Sequence, residues 1–86
     1  METVVALHEV EDVDHWLASP KRAEFFGEHG ISVRTFRDPG GSNRVAVIIE
    51  TPDMETLETA MGSEDAAQAM KHDRVRPETL LMLVEG

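Results

Sequence analysis

Three stretches of this chain are apolar at every position: Val4 to Leu7, Val45 to Ile49 and Leu80 to Val84. A strand sends successive side chains to opposite faces, so an unbroken apolar run asks to be buried on both. A sheet built from such strands must be covered on two sides. The chain has 86 residues, enough for one domain over 1–86 and for one covering layer of helices, not two. That mismatch limits the possible folds more than any other feature of the sequence.

The remaining elements follow from local chemistry. Residues 3–10, TVVALHEV, read as a strand. Asp12 then suits a helix N-cap, and Asp14 lies in the first turn, where the helix dipole favours negative charge. Val13, Trp16, Leu17, Ala23 and Phe26 recur at helical spacing, interrupted by Ser19-Pro20. Proline is costly inside a helix and cheap at its first position, which predicts short helices at about 12–18 and 20–28, or one kinked helix. Gly27 and Gly30 supply the stop. Residues 31–37 alternate as a strand, 38–43 (DPGGSN) form a turn, and 44–51 form a second strand of a hairpin. Thr51-Pro52-Asp53 opens a helix that ends at Gly62, and Ser63-Glu64-Asp65 starts another. The last strand is expected at about 79–85, with Pro77 just before it.

The order β-α-β-β-α-β closes most simply as a ferredoxin-like α+β domain, a four-stranded antiparallel sheet with its helices on one face. Right-handed crossovers place the first and third strands in the centre. The other face is expected to be covered by a second copy of the chain, giving a homodimeric, barrel-like pair of sheets. An uncovered face of this kind would promote aggregation.

Eight basic residues against seventeen acidic ones leave a net charge of −9, which argues against nucleic acid and anionic membrane surfaces as partners. There is no cysteine, so disulfides and thiolate metal sites are excluded. No apolar run is long enough to span a bilayer, and the first residues do not read as a secretory signal, so a cytoplasmic protein is expected. Fingerprints for flavin or nicotinamide, nucleophile motifs and metal-protease motifs do not occur, so no cofactor and no metal are expected. His8-Glu9 and Glu11, Asp12 and Asp14 offer metal ligands, without an HExxH motif or an EF-hand loop.

The stretch Glu9-Val10-Glu11-Asp12-Val13-Asp14-His15-Trp16-Leu17 resembles the V-x-D-x-D-x-W opening of small dimeric α/β-barrel proteins. Val33 to Asp38, Asn43 to Val47 and Ala69-Met70-Lys71 are similar to later parts of the same proteins. These form the antibiotic biosynthesis monooxygenase-like, or cyclase-like, superfamily. The resemblance covers nearly the whole chain and implies the fold and the dimer. The superfamily holds cofactor-free monooxygenases, polyketide cyclases, haem-degrading enzymes, isomerases and many members without an assigned reaction, the group this chain looks most like. The resemblance implies a small, partly apolar ligand, aromatic or polyketide-like, in a cleft between sheet and helices. It leaves open whether the protein is an enzyme or a non-catalytic dimer that binds a ligand or another protein.

Four residues are candidates for that site. His8 is a lone titratable group in an aliphatic strand, either a hydrogen-bonded structural residue or a general base. It shares parity with Val4 and Ala6; the bulkier Val5 and Leu7 are expected to fill the helix-facing core, which puts His8 on the dimer side. Arg34 and Phe36 are expected opposite Ile31 and Val33, on the cavity side, where they suit a flat anionic or phenolic ligand or an acid across the dimer. Trp16 belongs to the buried stripe of the first helix, as core or as ligand wall. His15 and His29 read as surface or capping residues, and His72-Asp73 as a solvated helix end.

Overall fold

The computed structural model describes residues 1–86. Its elements are β1 (Glu2–Val10), α1 (Val13–Ala18), α2 (Lys21–Glu28), β2 (Ser32–Arg37), β3 (Arg44–Thr51), α3 (Met54–Met61), α4 (Glu64–His72) and β4 (Val75–Val84). The four strands form one antiparallel sheet in the order β2-β3-β1-β4, with β1 and β3 central as the crossover rule requires. This is the ferredoxin-like α+β plan, with each helical connection split into two short helices. No helix is long and apolar enough to cross a membrane.

Side chains set the helix boundaries. Asp12, Asp53 and Ser63 accept hydrogen bonds from the amides of His15, Thr56 and Ala66, each capping a helix start. Ser19-Pro20 makes two helices and not one kinked helix: Ser19 is extended and its Oγ accepts from Lys21 N. Gly27 lies inside α2, and Gly30 alone provides the stop, at φ 70°. The Ile31 amide donates to Phe26 O and the Gly30 amide to Gly27 O, a Schellman closure whose apolar clasp is the buried pair Phe26 and Ile31.

The last strand starts at Val75, earlier than the apolar pattern indicated, and takes in Pro77. The β1–β4 register shifts between Leu7 and Glu9, so the strand bulges there. Thr79 Oγ accepts the Glu9 amide at 2.9 Å, supplying the acceptor the bulge removes from the ladder. Pro77 is tolerated because β4 is an edge strand.

The core lies between sheet and helices. Val4, Ala6, His8 and Val10 of β1 and Val45, Val47, Ile49 and Thr51 of β3 are all buried there. This corrects the expected parity of β1: Val5 and Leu7 point to the opposite face, and His8 points at the helices. Side-chain bulk misled because the large residues of this core are supplied by the helices. Trp16, Phe25 and Phe26 fill the space above the sheet, and the strand beneath them has room for Ala6 and His8. On the open face Val5, Leu7, Ala46 and Ile48 are half-buried, while Phe36, Leu81 and Leu83 are exposed. That face is therefore apolar, as the sequence requires.

Candidate functional site

A cavity of about 70 Å³ lies between the sheet and the helices. Twelve of its fifteen lining residues are hydrophobic. β1 and β3 supply a floor of Ala6, His8, Val47 and Ile49; Trp16, Phe25, Phe26, Met61 and Met70 enclose it. The other two polar residues are Arg22 and Asp73.

His8 is 7% exposed, and its Nδ1 is buried with no hydrogen-bond partner. Its ring meets Trp16 edge-on, with centroids 5.7 Å apart. Burial, and secondarily the Arg22 cation, lower its pKa below the ordinary value, so the imidazole is neutral near pH 7. A buried, neutral, unpartnered nitrogen costs free energy unless something in the cavity engages it.

Arg22 is held from three sides. Its Nη1 lies 3.4 Å from Asp73 Oδ2, its Nη2 donates to Trp16 O at 3.1 Å, and its Cζ stands 4.1 Å from the Trp16 ring centroid. Burial lowers its pKa, and the Asp73 carboxylate opposes that shift. Asp73 is 3% exposed and also meets His72 Nδ1 through Oδ1 at 3.0 Å. It is thus a buried ion-pair partner, contrary to the expected solvated helix end.

The fold, though not a sequence likeness, recurs in solved structures. No protein-family model matches the chain, and no curated protein matches it. The chain is similar to the crystal structure of an antibiotic biosynthesis monooxygenase, with a TM-score of 0.69 and 15% identity over 100% of this chain and 97% of that one. It is also similar to a conserved protein of unknown function from Bacteroides thetaiotaomicron, with a TM-score of 0.59 and 15% identity over 98% and 92% of the two chains. An ethyl tert-butyl ether (EthD) family protein from Bacillus halodurans gives 0.55 and 19%, over 100% and 98%. The chain has the antibiotic biosynthesis monooxygenase-like fold. At these identities the likeness concerns the fold.

Within this fold the four residues singled out from the sequence divide between two faces. His8 and Trp16 come together at the helix-side cavity. Arg34 and Phe36 pair with Ile48 and Ala46 and share their open face, on the far side of the sheet from the cavity. β2 alternates as the sequence indicates, but the cavity lies on the face opposite Arg34 and Phe36 and not beside them. Arg34 Cζ stands 6.0 Å from the Phe36 ring centroid, so the two form their own exposed pair. Arg22 and Asp73 were missed, though helical spacing carries a signal for both. Arg22 is three and four residues before the buried Phe25 and Phe26. Asp73 is seven residues after the buried Ala66, two turns along the same stripe. One group has ligand spacing for a metal, His15, His72 and Asp73, whose ligand atoms lie within 4.8 Å of one another. Glu11, Asp12 and Asp14 are in no such group.

Proposed function

We propose that this protein works as a cytoplasmic homodimer that binds a small, partly apolar molecule, aromatic or polyketide-like, in the sheet–helix cavity, and acts on it by proton transfer from an acidic C–H or O–H. The observation that carries the reading is the unpartnered Nδ1 of His8, buried at the floor of an apolar cavity. A neutral imidazole accepts a proton, and the Arg22 cation stabilises the anion left behind. Trp16 provides a flat wall for the ring. The anion can close a ring on a carbonyl of the same molecule. With molecular oxygen as co-substrate, it can instead be oxygenated: a methylene becomes a carbonyl, and O2 leaves one oxygen there and one in water. The likeness in fold to an antibiotic biosynthesis monooxygenase supports the second outcome.

The present volume is smaller than the roughly 150 Å³ that accommodates a benzene. Ligand entry must therefore displace flexible lining side chains, and Met61 and Met70 are suited to that. The open face supports the homodimer. Its apolar centre, Val5, Leu7, Ala46, Ile48, Leu81 and Leu83, lies between polar rows of Thr3, Ser32 and Glu50 at one end and Glu9, Arg44 and Arg76 at the other. A rimmed apolar patch is the signature of an interface. Arg34 and Phe36 belong to this face, so their proposed role is at the dimer seam, where Arg34 can meet an acid of the second copy.

The test is a screen of small phenols and cyclic diketones by protein-observed NMR. Expected hits shift resonances of His8, Trp16 and Met70, and His8→Gln loses them while keeping its melting temperature. Binding that survives His8→Gln, or hits confined to the open face, would overturn the assignment. Binding without any turnover under air would favour the non-catalytic dimer.

A further inference from the structure

We propose that His15, His72 and Asp73 form a binding site for one divalent transition-metal ion. Two imidazoles and one carboxylate are a donor set that suits zinc and its neighbours in the first transition row. The three come from two places in the chain: His15 from α1, and the neighbours His72 and Asp73 from the C-terminal end of α4. Their ligand atoms lie within 4.8 Å of one another. Donors on opposite sides of one ion at about 2.1 Å each are at most about 4.2 Å apart, so a small rotation of the side chains closes the set. His72 is exposed and His15 is half-buried, so both rings can make that rotation.

Three further features favour a cation here. His15 Nε2 already stands 2.8 Å from His72 O, one of the last carbonyls of α4, so the site sits at the negative end of that helix. The groove between α2 and α4 that His72 lines carries Glu24, Glu28 and Asp65 against Lys21 alone. Asp73 is fixed in advance: Oδ2 is held by Arg22, and Oδ1 is directed at His72. A metal taken by Oδ1 replaces the contact with His72 Nδ1 and leaves the Arg22 pair in place. That pair continues to the cavity, so the ion would anchor the wall on which Arg22 rests.

Calorimetric titration of the untagged protein with Zn2+ tests this. One ion per chain is expected. His15→Gln and His72→Gln should each weaken binding by about tenfold or more. His29→Gln, which removes an exposed histidine outside the cluster, should leave it unchanged. His15 is half-buried and His72 exposed, so both variants should fold, which unchanged far-UV circular dichroism shows. Co2+ should give visible ligand-field bands that vanish in His72→Gln. No binding, equal binding by the His15→Gln/His72→Gln double variant, or an equal loss in His29→Gln would overturn the site.

Discussion

Arg22 stands over Trp16, its Cζ 4.1 Å from the ring centroid, while its Nη1 reaches Asp73 at 3.4 Å. Trp16 in turn meets His8 edge-on. A single cation thus connects the first two helices, the end of the fourth and the floor of the cavity.

Removing that cation should be costly. Arg22→Met leaves Asp73 buried with only His72 as a partner, and the expected loss is about 3 kcal/mol in urea unfolding. The double variant Arg22→Met/Asp73→Leu should recover part of it, because no unpaired charge remains. A loss below about 1 kcal/mol for the single variant would mean the pair is solvated and weak.

His8 should make stability depend on pH in one direction. Its folded pKa is lowered, first by burial and then by the Arg22 cation. Above about pH 6.5 the imidazole is neutral in both states and adds no pH dependence. As pH falls below that value the unfolded chain takes up the proton first, so the native state loses stability progressively down to the folded pKa. Denaturant midpoints between pH 7.5 and 5 should fall in the wild type and flatten in His8→Met. An unchanged slope in the variant would assign the effect elsewhere.

Leu81 and Leu83 are about half exposed on the open face. Leu81→Glu should leave far-UV circular dichroism intact and convert a two-chain mass to a one-chain mass in light scattering, since burying an unpaired carboxylate at an interface costs several kcal/mol. Val47→Asp, buried at 4% on the helix side, should instead unfold the chain. A wild-type protein that scatters as one chain at all concentrations would refute the dimer.

Arg74 follows α4 at φ 57°, a left-handed conformation that costs a residue with a Cβ roughly 1 kcal/mol. Arg74→Gly should therefore raise stability by about 0.5–1 kcal/mol, read from the thermal midpoint. Arg74→Val should lower it.

Much of the fold was legible in the sequence because it rests on local rules. Asp12, Asp53 and Ser63 cap helices wherever they precede a helical stripe, Gly30 stops a helix because it alone accepts the left-handed turn cheaply, and the strand order follows from crossover handedness. The need for a covered second face was legible too, from runs that are apolar on both parities. What those runs could not say is which parity meets the helices, since both satisfy the hydrophobic pattern equally. Only the packed structure chose, because Trp16, Phe25 and Phe26 occupy the helix side and leave room for His8 beneath them. The ion pair of Arg22 and Asp73 was beyond the sequence for a related reason. Its partners are 51 residues apart, and only the docking of α2 against α4 brings opposite charges together away from water.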